Sequence, residues 1–129
     1  MSFKTVTPNL MVEDVNQTIE YYQTQLDFEL MATVPEKGDL AWAMMQRDSV
    51  TLMFQQRENL LEEIPILADQ SGGGALTLYI DVDNVSELHQ SLQDKVEMVQ
   101  TLHTTFYGRT EFAIKDCNGF VLAFAGSEV

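Results

Sequence analysis

Apolar and polar residues alternate over short runs in this chain, and helical spacing interrupts the alternation twice. Val6, Leu10 and Val12 alternate with Thr5, Thr7, Asn9 and Met11, the pattern of a strand with one apolar and one mixed face. Asp14 then stands as a helix N-cap with Gln17 at the third helical position, and Val15, Ile19, Tyr22 and Leu26 follow at helical spacing. Three further strands are predicted at 28–34, 39–47 and 49–56, with Lys37-Gly38-Asp39 and Arg47-Asp48-Ser49 as the turns between them.

Residues 57–74 read differently. "RENLLEEIPIL" allows a helical turn or two before Pro65, and "DQSGGGA" is a flexible connector that marks a boundary between modules. No Lys-Ser/Thr follows the glycines and no GxGxxG is complete, which excludes a phosphate-cradling loop. The pattern then begins again. Leu76, Leu78, Ile80 and Val82 alternate with Thr77, Tyr79 and Asp81; Asn84 with Glu87 repeats the capping-box spacing; Val85, Leu88 and Leu92 make a second helical stripe. Strands at about 96–101, 106–115 and 119–125 complete the unit. A shift of 70 lays Leu10–Val15 on Ile80–Val85 and Thr7 on Thr77, so the chain carries an internal repeat of order strand–helix–three strands. The expected fold is α+β: two tandem βαβββ modules, 4–56 and 75–126, joined by a connector at 57–74 into one domain over 1–129.

Each module would cover one sheet face with its own helix, and the two open faces would form a shared concave cleft. Alternation assigns Val6, Leu10, Leu76, Ile80, Leu122 and Phe124 to the helices. It assigns Thr5, Thr7, Asn9, Val50, Leu52, Phe54, Thr77, Tyr79, Val121, Ala123 and Ala125 to the cleft.

Composition narrows the function. Twenty acids against seven bases give a net charge of −13, which argues against nucleic acid and anionic membranes and favours cationic partners. No apolar run reaches 18 residues, so no transmembrane helix is expected. One cysteine, Cys117, cannot form an internal disulfide, and with two histidines it makes no Cys–His zinc cluster. The opening residues lack an apolar signal core, and a cytoplasmic location is expected.

Two segments carry a resemblance. "TPNLMVEDVNQTIEYYQTQLDFEL" is similar to the opening strand and helix of the vicinal oxygen chelate superfamily, which includes glyoxalase I, extradiol dioxygenases and bleomycin resistance proteins. "FYGRTEFAIKDCNGFVLAF" resembles its closing hairpin, with Cys117 where proline is common. The resemblance covers nearly the whole chain and implies the glyoxalase/bleomycin-resistance-like fold. Family enzymes hold a divalent metal at four strand positions, which match Thr7, Leu52, Thr77 and Ala123 here. Hydroxyl, isobutyl and methyl groups do not replace imidazole and carboxylate. His89, expected within the second helix, and His103, expected in a connector, do not fill the gap. The resemblance therefore points to the non-metal, bleomycin-resistance-like branch: a homodimer with a small-molecule ligand, no cofactor, no metal and no catalytic residue.

The candidate ligand-binding residues are Thr7, Asn9, Trp42, Leu52, Phe54, Thr77, Tyr79, Tyr107, Arg109, Glu111 and Ala123. Aromatic rings supply stacking area and acids attract cations. Trp42 reads equally as a cleft aromatic or a plug under the first helix, because the turn at 47–49 is two or three residues long. Arg109 and Glu111 share a face, and an ion pair with each other or a neighbour is the plain structural alternative. Met11, Met44, Met45 and Met53 suit either a core or an adaptable pocket. Cys117 has no base beside it in sequence to make it a nucleophile. Three function classes stay open: a protein sequestering a cationic or aromatic molecule, a glyoxalase-type lyase, isomerase or dioxygenase-like enzyme with an atypical metal site, and a metabolite-sensing accessory protein.

Overall fold

The computed structural model describes residues 1–69 and 75–127; the glycine run of the expected connector, 72–74, lies outside the described residues. The chain divides into two compact units at residues 70/71. The first holds β1 (Asn9–Val12), α1 (Val15–Leu26), β2 (Glu29–Val34), β3 (Trp42–Arg47), β4 (Val50–Gln56), α2 (Arg57–Glu63) and a 3-10 helix at Pro65–Asp69. The second holds β5 (Thr77–Asp81), α3 (Val85–Leu92), β6 (Glu97–Thr104), β7 (Thr110–Lys115) and β8 (Val121–Gly126). Each unit is a four-stranded sheet of the same topology, β1-β4-β3-β2 and β5-β8-β7-β6. The first strand pairs in parallel with the last, and the other pairings are antiparallel. This is the α+β arrangement of two tandem βαβββ modules.

α1 begins where the sequence places it. The Asp14 carboxylate accepts the Gln17 N–H at 2.9 Å, satisfying one of the four unpaired donors of the first turn. Val15, Ile19, Tyr22 and Leu26 are buried, as is Thr18, whose hydroxyl donates to the Asp14 carbonyl at 2.8 Å. The helix ends at Asp27 in the left-handed region (φ 56°), which aspartate tolerates better than most residues. α3 differs. Asn84 flanks it, yet its side chain makes no capping bond.

The first core gathers around Tyr22, whose ring lies 5.3 Å from that of Phe28 and 4.9 Å from that of Phe54. This corrects the expected orientation of β4. Phe54 is the register partner of Leu10 on β1 and of Ala43 on β3, so Leu52 and Phe54 point to α1 and away from the opposite face. That face carries Thr51, Met53 and Gln55 instead. Trp42 pairs with Gln55 and falls on the side opposite α1, because the β3–β4 turn is two residues long, Arg47 standing opposite Val50. Val6 and Leu76, expected under the helices, are exposed and lie ahead of β1 and β5.

In the second unit, Leu76 apart, the expected faces hold. Phe112, Ile114, Leu122 and Phe124 are buried toward α3, with Phe112 and Phe124 stacked at 5.1 Å and the His89 ring 5.1 Å edge-on from Phe112. Gly126 closes the contact with the start of α3: a Cβ there would come within 3.1 Å of the Val82 carbonyl oxygen and of Val85 Cγ1. Tyr107 and Arg109, expected inside a strand from 106, precede β7 in the turn after β6. Among the described residues no helix is long and apolar enough to cross a membrane.

Candidate functional site

β8 runs between β5 and β7, and its helix-free face is nearly flat: Val121, Ala123 and Ala125. Ala123 is the register partner of Tyr79 on one side and Ala113 on the other; Ala125 is the partner of Asp81 and Glu111. Methyl groups leave room for side chains from the two flanking strands to meet above them. The Tyr79 hydroxyl crosses β8 and donates to Glu111 Oε2 at 2.6 Å, and Arg109 pairs with Asp81 over the same strand.

A second hydroxyl converges on the same oxygen. Tyr107 donates to Glu111 Oε2 at 2.8 Å from the β6–β7 turn. That turn is closed by Gly108 N–H to the Thr105 carbonyl at 3.0 Å and Thr105 N–H to the Arg109 carbonyl at 2.7 Å. Gly108 takes φ 84°, a conformation that favours glycine. Beside Tyr107 the Phe106 ring is fully exposed, 4.9 Å away edge-on.

The electrostatics follow from the hydrogen bonds. Glu111 is only 8% exposed, and burial alone would raise its pKa. The Tyr79 hydroxyl bond, reinforced by Tyr107, outweighs burial and holds the carboxyl below its ordinary 4.5. The same bonds, with burial and the Glu111 charge, push both tyrosines above 10.0. Around neutral pH the cluster is therefore one carboxylate and two neutral phenols. Glu111 Oε1 receives no hydrogen bond among the described residues. Tyr79 and Tyr107 as whole residues meanwhile stay 55% and 54% exposed. His103, expected in a connector, lies in β6 as the register partner of Glu111, and its Nδ1–H donates to the Thr101 carbonyl at 2.8 Å.

The first unit fills its corresponding face with amides. Asn9 Nδ2 donates to Gln55 Oε1 at 2.9 Å, and Gln55 Nε2 donates to Asn59 Oδ1 at 2.7 Å and Glu63 Oε1 at 3.1 Å, so α2 closes over β1 and β4 there. Elsewhere in that unit a groove of about 550 Å³ includes Glu13, Asp14, Asp39, Glu58 and Glu62 in its lining, a concentration of the chain's negative charge.

The structure thus brings Tyr79, Tyr107, Arg109 and Glu111 together above Ala123 and Ala125, with Thr77 two residues earlier on the same face of β5. Asn9 and Trp42 lie on the first unit's sheet face opposite α1, Thr7 stands two residues ahead of β1, and Leu52 and Phe54 are turned into the core. Sequence reading undervalued Asp81 and Ala125; the signal available was the two-residue spacing that puts Asp81 on Tyr79's face.

A divalent metal does not fit the family positions. Leu52 faces α1, and Met53, the residue that the repeat lays on Ala123, offers only a thioether. Thr7, Thr77 and Ala123 add two hydroxyls and a methyl. Among the described residues no group of three or more His, Cys, Asp or Glu side chains converges.

Paired βαβββ modules of this sheet order define a class of α+β proteins. The chain belongs to the Glyoxalase/Bleomycin resistance protein/Dioxygenase superfamily, whose family model matches residues 4–124. No curated protein matches it by sequence. Among solved structures it is similar to a protein of unknown function from Agrobacterium tumefaciens str. C58, with a TM-score of 0.79 at 18% identity over 99% of this chain and 97% of that one. It is similar to a glyoxalase/bleomycin resistance protein/dioxygenase from Nocardioides, with a TM-score of 0.79 at 16% identity over 98% and 85%. It is also similar to the bleomycin-binding protein from bleomycin-producing Streptomyces verticillus, solved with copper(II)-bleomycin, with a TM-score of 0.68 at 22% identity over 99% of each chain.

Proposed function

We propose that this protein binds and sequesters a small aromatic or cationic molecule without metal-dependent catalysis, on the helix-free sheet face of its second unit. The observation that carries the reading is the anchoring of two half-exposed tyrosine rings by their hydroxyls to one carboxylate. A ring so fixed has little side-chain freedom left to lose on binding and still offers its face for stacking. The negative charge of the chain supports attraction of a cation, and the bleomycin-binding neighbour supports a small-molecule role within the same fold. Thr77, on the same face of β5 as Tyr79, is proposed as a peripheral contact.

The test is a calorimetric titration with metal-free bleomycin at low and moderate salt. Saturable binding at micromolar affinity or tighter, weakened by salt and by Tyr79→Ala with Tyr107→Ala, supports the reading. A folded chain that gives no heat with the drug, and shows no tyrosine-dependent binding of smaller aromatic probes, overturns it.

A further inference from the structure

Glu111 is a buried anion whose two hydrogen-bond donors are both neutral. Among the described residues no lysine, arginine or histidine nitrogen comes within ion-pair distance of it; His103 and Arg109 favour its ionised form only from farther away. The groups around it are accounted for. From β5, Asp81 engages Arg109 and Tyr79 donates its hydroxyl. From β6, His103 turns Nδ1–H to the Thr101 carbonyl. On β7 and its preceding turn, Lys115 pairs with Glu97 at 3.6 Å and Tyr107 donates its hydroxyl. β8 contributes only Val121, Ala123 and Ala125 on this face. Both hydroxyls go to Oε2, which leaves Oε1 as the open acceptor. A buried charge is costly to hold without a counter-charge in direct contact, and a hydrogen bond gains strength when both partners are charged.

We infer that Glu111 is the specificity-determining residue of the site and that its ligand carries an N–H cation, a primary ammonium or amidinium, joined by a short linker to a small aromatic body. The cation meets Oε1 and the aromatic body lies against the Tyr79 and Tyr107 rings, where cation–π attraction adds to the ionic bond. This deepens the binding reading above and rests on it.

Three probes of similar size separate the terms: 2-phenylethylamine (ring and charge), 2-phenylethanol (ring alone) and hexylamine (charge alone), titrated into the full chain and followed by amide NMR shifts. The expected result is that 2-phenylethylamine binds about tenfold or more tightly than either of the others at pH 7. Glu111→Gln should reduce its advantage over the alcohol to less than about threefold. Tyr79→Phe, which keeps the carboxylate and removes one donor, should preserve the advantage at pH 7 and lose it at a higher pH than the native chain does. That shift of midpoint is a readout that a merely structural role for Glu111 would not produce. Should Glu111→Gln fail to fold, the native and Tyr79→Phe pH profiles decide the matter alone. Equal affinity for the amine and the alcohol, or no amine binding, overturns the inference. If bleomycin still binds in that case, the binding reading survives; silence from the drug and all three probes removes both.

Discussion

The Tyr79 hydroxyl lies 2.6 Å from Glu111 Oε2, although the strands that carry them are not neighbours; β8 runs between. The bond exists because the intervening positions are alanines. Ala125→Leu should sever it, since the larger side chain would occupy the space through which Tyr79 and Arg109 reach. Ala125 is fully buried, so the substitution should also cost about 1–3 kcal/mol in overpacking. Urea unfolding measures the second effect, and loss of probe binding in the still-folded fraction measures the first.

Acid should reveal Glu111. Its carboxyl titrates lower in the folded chain than its ordinary 4.5, so the unfolded chain takes up that proton first. Its contribution is complete above the unfolded value, declines as pH falls, and is gone below the folded value. Urea midpoints from pH 7 to about 3 should fall less steeply in Glu111→Gln than in the native chain. In Tyr79→Phe the folded value should rise, narrowing the window in which Glu111 helps. Native and Glu111→Gln curves that run parallel through this range would refute the assignment.

Phe54 belongs to the first unit's core, packed against Tyr22. Phe54→Ala should destabilise the chain by about 3–5 kcal/mol, the range for a buried aromatic ring. In whatever fraction remains folded, probe affinity should be unchanged. Reduced affinity in a chain whose amide spectrum is native would place Phe54 at the site after all.

The two long helices offer a matched pair. Asp14→Ala removes a side-chain cap and should cost about 1 kcal/mol, whereas Asn84→Ala, with no capping bond to lose, should cost only about a few tenths. Thermal midpoints of the two variants, measured side by side, check the difference.

Gly126→Ala should cost about 1–3 kcal/mol, because the new methyl meets a backbone oxygen and a buried valine at 3.1 Å, neither free to swing aside. Denaturant unfolding of this single variant is sufficient.

Much of this architecture was legible in the chain because strands and helices announce themselves by period. Val15, Ile19, Tyr22 and Leu26 specify α1, and the repeat at an offset of 70 places α3 to the residue at its start, Val85. Parity was harder. Both faces of β4 contain apolar residues, and alternation put Leu52 and Phe54 on the wrong one. The rule that the more apolar set faces the helix, which held for β1, would have set them correctly. Trp42 stayed ambiguous because one residue more or less in a turn flips a strand's parity. Lys115 faces Val121 across residues 116–120, while Arg47 faces Val50 across two. The Tyr79–Glu111–Tyr107 cluster was visible only as three candidates. Convergence of two hydroxyls on one oxygen depends on the flat floor of β8 and the closed turn at Thr105–Arg109, neither of which has a periodic signature.

The two sheets share one plan, so each position in one has a counterpart in the other. By register Asn9 corresponds to Tyr79, Gln55 to Ala125 and Trp42 to Glu111, the last displaced by one residue through the shorter turn. Three substitutions, Asn9→Tyr, Gln55→Ala and Trp42→Glu, would therefore rewrite the amide-filled half in the idiom of the ionisable half, releasing α2 from Gln55 as they did so. The scaffold is in this sense a pair of interchangeable palettes, and the size of one residue on the last strand decides which palette is laid out.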